Sequence, residues 1–527
     1  MNRTEQLKKL EQPQIWDFII IGGGASGLGV AVDAASRGFK TILLESVDFA
    51  KGTSSRSTKL AHGGVRYLEQ GNLSLVIEAL KERGLMAQNA EHLIKNQSFI
   101  IPNYNWWGGY FYTFGLKLYD LLAGKLSLGS SHYLSKEKTI ELLPTIVQKG
   151  LKSGVLYHDG QFDDSRMAIN LAQTAIEKGA CLINHIKVNQ LIKDANNQII
   201  GVVAQDQETL KTYEIKGKAI INATGVFTNA IMKMNDAEYK KQIVPSQGIH
   251  LVFNNAFLPS DYALLIPKTS DGRVLFAVPW YDKIVMGTTD TLIKNSSLEP
   301  IALEEEVEFV LETAQRFLTK KPTRADVLSV FAGLRPLAAP KKEGQSTKEV
   351  SRSHKIIVSE TGLLTITGGK WTTYRKIAED LVDKAIKVHQ LPINKCVTQH
   401  LSIHGNRKNS AVDLENHLYI YGTDAPLIVQ LQENEPELKQ KLHPDYDYTL
   451  AEVVWAIRHE MATTIEDVLA RRVRLLFLDA RAAMACSNKV AQLLANELGH
   501  DGIWIQNQLT EFKIVANGFL LKEFQEK

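Results

Sequence analysis

Cysteine is scarce in this chain, and long apolar runs are absent. Of the 527 residues only three are cysteines, Cys181, Cys396 and Cys486, and they form no CxxC pair. This excludes a disulfide framework and favours a reducing compartment. It also argues against iron–sulfur clusters and structural zinc, so we predict no metal site.

Charge of either sign is not in excess, and no segment is long enough to cross a bilayer. The 61 basic and 58 acidic residues leave a net charge of +3, so bulk charge predicts no nucleic-acid partner. The longest uncharged apolar stretch, FIIIGGGASGLGVAV, is too short and too rich in glycine to span a membrane. The polar start, MNRTEQLKKLEQPQ, lacks the apolar region of a secretory signal. We expect a cytoplasmic protein that is soluble or lies on a membrane without crossing it.

The most informative segment is WDFIIIGGGASGLGVAVDAASRGFKTILLE, which predicts a strand, a tight turn, a helix and a second strand. Its glycines fit G-x-G-x-x-G, a spacing that lets a pyrophosphate approach the backbone and the helix N-terminus. The acid that ends the second strand would accept hydrogen bonds from a ribose diol, which argues against NADP. The predicted dinucleotide contacts are Gly22, Gly24, Ala25, Ser26, Gly27 and Glu45.

Two later segments look like further parts of the same domain. KAIINATG is a strand that ends in a small-residue turn, and GLLTITGGKWTTYRKIAEDLVDKAI is a strand, a Gly368-Gly369 turn and a helix from about Thr372. Such interleaving favours FAD, a long cofactor that needs an extended binding site. The helix would aim its positive end at the negative charge that a reduced flavin carries near N1 and O2.

KGTSSRSTKLAHGGVRYLE, residues 51–69, predicts a loop that wraps a diphosphate and then the flavin ring, with His62 packed near the ring. The predicted cofactor contacts in this loop and the two returning segments are Thr53, Ser54, Ser57, Lys59, His62, Gly63, Gly64, Ala223, Gly225, Gly369, Lys370, Trp371 and Thr372.

These motifs carry a resemblance to a known family. IGGGASGLGVAVDAASRG, TSSRSTKLAHGGVRYLE, INATG, MGTTD, AGLRPL and TGGKWTTYRK resemble the FAD-dependent glycerol-3-phosphate dehydrogenases of the D-amino-acid-oxidase-like flavoprotein group. The similarity covers nearly the whole chain and weakens after about residue 395. It implies oxidation of sn-glycerol 3-phosphate to dihydroxyacetone phosphate, with electrons passed from FAD to a quinone. Some relatives use O2 instead and release peroxide.

Such a substrate needs a cationic clamp for phosphate and a group that takes the hydroxyl proton. An arginine between apolar neighbours, as in GLRPL, costs several kcal/mol to bury unless an anion pairs with it, and phosphate matches its planar donor fork. We therefore assign Arg335 and Arg352 to phosphate, and His250 is the candidate base. Asp290 in GTTD is expected to line the pocket without a chemical role. The predicted catalytic residues are His250, Arg335 and Lys370, and the predicted substrate contacts are Arg66, Tyr67, His250, Arg335, Arg352 and Lys370.

The predicted fold is α/β, with a Rossmann-type FAD-binding domain interleaved with a mixed-sheet substrate domain, followed by a C-terminal helical domain. The FAD parts are about 15–100, 155–240 and 355–390, the substrate parts about 101–154 and 241–354, and the helical domain 396–527. That domain could contact the rest of the chain, an acidic surface or a second subunit, which leaves a homodimer open. A flavin oxidase of an amine or another hydroxy acid, which also uses arginine, and a non-catalytic flavin-binding protein are the alternatives.

One segment has no place in the cofactor site. PNYNWWGGYFYTFG, residues 102–115, carries seven rings in eleven residues, whereas the chain is 8% aromatic. We interpret it as a loose loop that meets lipid, because Tyr and Trp suit the membrane boundary and a quinone stays in the bilayer. The amphipathic FGLKLYDLLAGK and the arginines 471, 472 and 474 would assist. The protein would then be peripheral on the inner face of the cytoplasmic membrane. The alternative is that the rings pack in the substrate domain or a subunit contact.

Overall fold

The computed structural model describes residues 1–64, 72–240, 243–269, 272–338, 354–407 and 416–526. Two sheets are flanked by helices, and the C-terminal part is mainly helical. The helices span Arg3–Leu10, Ala25–Ser36, Leu73–Asn89, Gly108–Ala123, Lys136–Leu142, Asp164–Glu177, Thr228–Asn235, Glu304–Phe317, Tyr374–Val388, Ala425–Asn434, Leu450–His459, Leu475–Leu478, Ala480–Leu498 and Gly502–Asn517, with a π-helical turn at Asp467–Arg472.

The first sheet contains the predicted nucleotide strand at its centre. Ile15–Ile21 pairs in parallel with Thr41–Leu44 on one side and with Thr212–Asn222 on the other. Parallel neighbours bring their carboxyl ends to one edge, where ligands of such sheets bind. In the described residues the order is Lys355–Val358, Leu364–Thr367, Thr212–Asn222, Ile15–Ile21, Thr41–Leu44 and Cys181–Ile183, with Ile186–Lys193 and Ile199–Asp206 joined through Thr212–Asn222.

The sequence explains this layer well. The strand IWDFIII is almost entirely buried, as expected for a parallel strand covered on both faces. The helix Ala25–Ser36 packs against Tyr374–Val388 and Asp164–Glu177 on one face of the sheet. The predicted strand, glycine turn, helix and second strand are confirmed, and so are the two returning strands.

The second sheet is mixed and contains the strand that carries His250. In the described residues its order is Thr291–Leu292, Ile243–Asn254, Lys283–Gly287, Leu275–Trp280, Ala263–Ile266, Lys95–Asn103, Ser153–Gln161 and Leu60–Ala61, with Ser329–Ala338 paired to Ile243–Asn254 and His132–Ser135 to Ser153–Gln161. Residues 60–61, 95–100 and 155–161, which the sequence assigns to the FAD parts, pair within this sheet. The domain limits themselves stay a prediction.

The C-terminal helices form a domain that packs on the second sheet. Their apolar side chains share a core with Val252, Trp280 and Phe331. A role in lipid binding would need the three arginines near position 472 to face outward, and they do not. Arg471, Arg472 and Arg474 are at most 2% exposed, so their predicted contribution to membrane attraction is wrong. Buried arginines need anionic partners. Acidic residues that include Asp48 and Asp164 supply them.

The aromatic segment is a helix and not the predicted loop. Gly108–Ala123 is helical, and Gly109 in its first turn packs so closely that an added Cβ would lie 2.5 Å from Ser153 Oγ. Among the described residues, five rings and two leucines project outward: Trp106, Trp107, Tyr110, Phe111, Phe114, Leu118 and Leu121. The alternative that these five rings pack in the substrate-domain core is therefore wrong. In the described ranges no helix combines the length and apolar character that spanning a membrane requires.

Candidate active site

A cavity of about 600 Å³ opens where the carboxyl ends of the first sheet face the second sheet. Its walls include the glycine turn, the loop around residue 54, four described strands of the second sheet and the turn around residue 369. The structure brings together most of the predicted site residues there: Gly22, Gly24, Ala25, Ser26, Glu45, Thr53, Ser54, Ser57, His62, Ala223, Gly225, His250, Arg335, Gly369, Lys370, Trp371 and Thr372.

Four other predicted site residues of the described chain do not line the cavity. Gly27 is inside the first turn of the helix, and Lys59, Gly63 and Gly64 are buried away from the cavity wall. The Lys59 amine donates to Asp164 Oδ2 at 2.8 Å and to the Ser55 carbonyl at 2.7 Å. Burial lowers the pKa of Lys59 to about 8. Arg66, Tyr67 and Arg352 fall outside the described residues.

The glycine turn has the geometry that a diphosphate needs. Gly22 has φ +107°, and a Cβ there would lie 2.7 Å from the Ala223 carbonyl oxygen. A Cβ on Gly27 would lie 1.9 Å from the Gly22 carbonyl oxygen, so the helix can approach the turn this closely only with glycine. The helix begins after Gly24 without a side-chain cap and without an acid in its first turn. Its amide end and positive dipole therefore face the cavity, as anion binding requires.

Glu45 fixes the turn and faces the cavity at the end of the second strand. Its Oε2 accepts from Gly23 N at 2.6 Å, and its Oε1 accepts from Val47 N at 2.9 Å. Burial raises the pKa of this carboxyl. Oε1 also accepts from Ser46 Oγ at 3.2 Å, whereas Oε2 has a further lone pair, to which a ribose hydroxyl can still donate.

Hydrogen bonds join the serine-rich loop to the rest of the cradle. Ser54 Oγ accepts from Ala25 N at 2.9 Å, and Trp371 Nε1 donates to the Ser54 carbonyl at 2.8 Å. Thr372 Oγ1 accepts from His62 N at 3.2 Å. The three segments thus form one elongated cradle, with a phosphate-binding turn at one end and ring-contacting residues at the other. These residues fit FAD.

His250 lies on the strand Ile243–Asn254 and lines the cavity. Its Nε2 is 2.9 Å from Thr58 Oγ1, and its ring stacks on Phe331 with centroids 4.8 Å apart. Within the described ranges its buried Nδ1 has no hydrogen-bond partner. Burial, and then the cations Lys59 and Arg335, hold the pKa of His250 well below 6.5. The imidazole is therefore neutral near pH 7 and able to accept a proton.

Arg335 comes from the neighbouring strand Ser329–Ala338, and its side chain is 30% exposed. Its Nη1 donates to the Thr289 carbonyl at 3.0 Å, and its Nη2 donates to Thr288 Oγ1 at 2.9 Å. Asp290 Oδ1 lies 3.5 Å from Nη1 and also accepts from Ser246. The guanidinium is thus oriented from one side while it borders the cavity.

Sequence reasoning missed several residues of the site. Asp290 was expected to line the pocket, but it lies behind the described cavity wall and pairs with Arg335. Lys51 and Arg56 line the cavity and share Glu299 as their ion-pair partner. No local pattern could have predicted this, because Glu299 is more than 240 residues away along the chain.

The fold and the cradle define a class, and comparison with known proteins agrees with it. The model of the FAD dependent oxidoreductase family matches residues 17–375, and that of the C-terminal domain of alpha-glycerophosphate oxidase matches residues 359–503. The class is that of FAD-dependent oxidoreductases.

Individual relatives define the family within that class. The mitochondrial glycerol-3-phosphate dehydrogenase of Schizosaccharomyces pombe is 38% identical in an alignment of 596 positions, gaps included, that covers 100% of this chain and 92% of the relative. The human mitochondrial enzyme is 37% identical over 96% of this chain and 74% of its own. The X-ray structure of glycerol-3-phosphate dehydrogenase from Bacillus halodurans, complexed with FAD, superposes with a TM-score of 0.81 at 26% identity, over 100% of this chain and 99% of that one. The chain belongs to the FAD-dependent glycerol-3-phosphate dehydrogenase family.

Proposed function

We propose that the protein oxidises the C2 hydroxyl of sn-glycerol 3-phosphate, yielding dihydroxyacetone phosphate, and passes the electrons to a membrane quinone. The observation that carries this proposal is the position of neutral His250 and cationic Arg335, which border the same cavity as the cofactor cradle. FAD, when bound, supplies the acceptor for the hydride that leaves C2.

His250 takes the proton of the C2 hydroxyl in this proposal. A general base must be unprotonated at the working pH, and the lowered pKa of His250 meets that condition. The contact with Thr58 and the stack on Phe331 hold the ring in place. The nearby positive charge of Arg335 also favours the alkoxide that develops as the proton leaves.

Arg335 binds the phosphate in this proposal. Its contacts with Thr288, Thr289 and Asp290 come from one stretch of chain, which orients the planar donor fork before the substrate arrives. Lys370 borders the cavity at the turn before the last FAD helix and supplies a second positive charge. Arg66, Tyr67 and Arg352 stay predicted phosphate contacts.

The exposed rings of the helix Gly108–Ala123 and of the two tryptophans before it form the proposed contact with the membrane. Trp106 and Trp107 are 74% and 85% exposed, and Lys152 lies over the Trp106 ring at 4.7 Å. Indole rings prefer the bilayer interface, and a nearby lysine favours anionic headgroups. We place the enzyme as a peripheral protein on the inner, cytoplasmic face of the membrane that holds the quinone. A homodimer stays a prediction.

One experiment separates the acceptors. The FAD-loaded protein is incubated with glycerol 3-phosphate and a water-soluble quinone analogue, first without and then with O2, and dihydroxyacetone phosphate and peroxide are measured. Our proposal predicts quinone-dependent product and little peroxide. Peroxide equal to product, independent of quinone, would instead indicate an oxidase. Product formation from an amine or another hydroxy acid, with none from glycerol 3-phosphate, would reject the proposed substrate.

A further inference from the structure

The loop from Asp48 to Lys59 forms one wall of the cofactor cavity, yet half of its ion pairs in the described residues are made with the C-terminal helical domain. Lys51, Thr53, Ser54 and Ser57 in this loop border the cavity. The side chains behind them reach the segment 460–474, about 400 residues further along the chain. Three anchor points follow one another along the loop.

The first anchor holds the start of the loop. Asp48 is fully buried, and its Oδ2 accepts from Arg471 Nε at 2.6 Å and from Arg472 Nη1 at 2.7 Å. Its Oδ1 accepts from Arg472 Nη2 at 3.1 Å. Two guanidinium groups of the C-terminal domain therefore bind one carboxylate of the loop.

The second anchor lies in the middle of the loop. Glu466 Oε1 accepts from Lys51 Nζ at 2.5 Å and from Arg471 Nη1 at 2.5 Å. Lys51 also pairs with Glu299 of the substrate domain. Because Lys51 borders the cavity, the position of Glu466 bears directly on the shape of the cofactor site.

The third anchor holds the end of the loop. Arg474 Nη2 donates to the Ser55 carbonyl at 2.9 Å and to Asp164 Oδ1 at 3.0 Å. Asp164 in turn accepts from Ser57 Oγ at 2.7 Å and from Lys59 Nζ at 2.8 Å. Arg474 has φ +61°, an unfavourable backbone region that persists only when the surroundings fix it.

We propose that Arg471, Arg472 and Arg474 are positioning residues for the cofactor, so that the C-terminal helical domain completes the FAD site by holding this loop. A buried ion pair is a weak source of stability, but removal of one partner leaves an uncompensated charge. The loop would have to move to rehydrate that charge, and the cavity wall would move with it. The proposal depends on FAD as the cofactor and not on the identity of the substrate.

The test is FAD affinity, measured by quenching of flavin fluorescence during titration of the FAD-free protein well below its unfolding temperature. Arg474→Met removes the third anchor, Arg474→Lys keeps its charge, and Glu466→Gln weakens the second anchor. Arg458→Gln is the matched control, because Arg458 lies in the same domain but pairs with Glu435 and Glu497 on the surface. The unfolding midpoint of each FAD-free variant is measured in parallel.

We expect Arg474→Met and Glu466→Gln to raise the Kd for FAD by about tenfold or more, with Arg474→Lys in between and the control within about twofold of wild type. The FAD-induced rise in unfolding midpoint should shrink in the same order. If Arg474→Met does not fold, the Kd for FAD of Glu466→Gln tests the proposal instead. Wild-type FAD affinity in a folded Glu466→Gln variant, or an equal loss in Arg458→Gln, would overturn the proposal. Because no glycerol 3-phosphate is used, failure here is distinct from failure of the proposed function.

Discussion

His250 Nε2 and Thr58 Oγ1 lie 2.9 Å apart inside the cavity, and this contact joins the second sheet to the cofactor loop. The hydroxyl fixes the orientation of the ring that we propose as the base. Thr58→Val should therefore slow flavin reduction by glycerol 3-phosphate about 10- to 100-fold, while Thr58→Ser restores it. Stopped-flow absorbance measures the rate, and the bound FAD content serves as control. A wild-type rate in Thr58→Val would exclude this role.

The low pKa of His250 sets the expected pH dependence. Its protonated form is disfavoured by burial and by Lys59 and Arg335. The reduction rate should thus be level above pH 6.5 and fall only at more acid pH, as the imidazole becomes protonated. His250→Ala should lower the rate by roughly two to four orders of magnitude and remove the acid limb. An acid limb that persists in His250→Ala would assign it to another group.

The glycine turn makes two different predictions for two glycines. A Cβ on Gly24 would meet Ser54 Oγ at 3.0 Å, whereas a Cβ on Gly27 would meet the Gly22 carbonyl oxygen at 1.9 Å. Gly24→Val should therefore fold but lose FAD, because the larger side chain enters the path of the diphosphate. Gly27→Ala should already lower the unfolding midpoint, because backbone must move. The ratio of flavin to protein absorbance measures the FAD content, and circular dichroism measures the unfolding midpoint. Full FAD content in Gly24→Val would contradict the placement of the cofactor.

Arg335 and Asp290 should act together on substrate affinity. Arg335→Lys keeps the charge and loses the donor fork, so kcat/KM for glycerol 3-phosphate should fall clearly, by roughly tenfold or more. Asp290→Asn should produce a smaller fall, mainly through KM, because it leaves the fork less firmly oriented. Glycerol, which lacks phosphate, is the control substrate. It should be a very poor substrate of the wild type, and Arg335→Lys should lower its kcat/KM little further. Equal damage with both substrates would show that Arg335 does not bind the phosphate.

The two exposed tryptophans that precede the helix Gly108–Ala123 should bind lipid. Trp106→Ser together with Trp107→Ser should weaken binding to vesicles that contain anionic lipid and slow turnover with a membrane quinone. Activity with a water-soluble dye should persist, because both side chains are exposed and neither lines the cavity. Ile503→Ser with Ile514→Ser is the matched control, since these side chains are 73% and 70% exposed on a different helix. Unchanged vesicle binding in the tryptophan variant would leave a subunit contact as the role of the rings.

The parts of the fold that local patterns specify could be predicted from the sequence. The spacing of Gly22, Gly24 and Gly27 and the isoleucine-rich strand before them gave the nucleotide unit, since turn chemistry and hydrophobic runs are local signals. The helix Gly108–Ala123 was missed, because two adjacent glycines are typical of a break and the tight packing of Gly109 against Ser153 is a tertiary contact.

The ionic contacts could not be predicted in the same way. Arg474 meets Ser55 over 419 residues of chain, and a run of arginines on a helix is typical of a solvated face. Only the fold brings buried carboxylates to them. The same holds for Asp290, whose pairing with Arg335 depends on which strands become neighbours.

The central claim is that glycerol 3-phosphate reduces the bound flavin. The FAD-loaded protein is mixed with glycerol 3-phosphate without O2 and without any other acceptor, and the visible flavin absorbance is recorded while dihydroxyacetone phosphate is quantified. We predict rapid bleaching with one product molecule formed per flavin, and slow bleaching in His250→Ala. Flavin that stays oxidised with glycerol 3-phosphate, but is bleached by an amine or another hydroxy acid, would contradict the account.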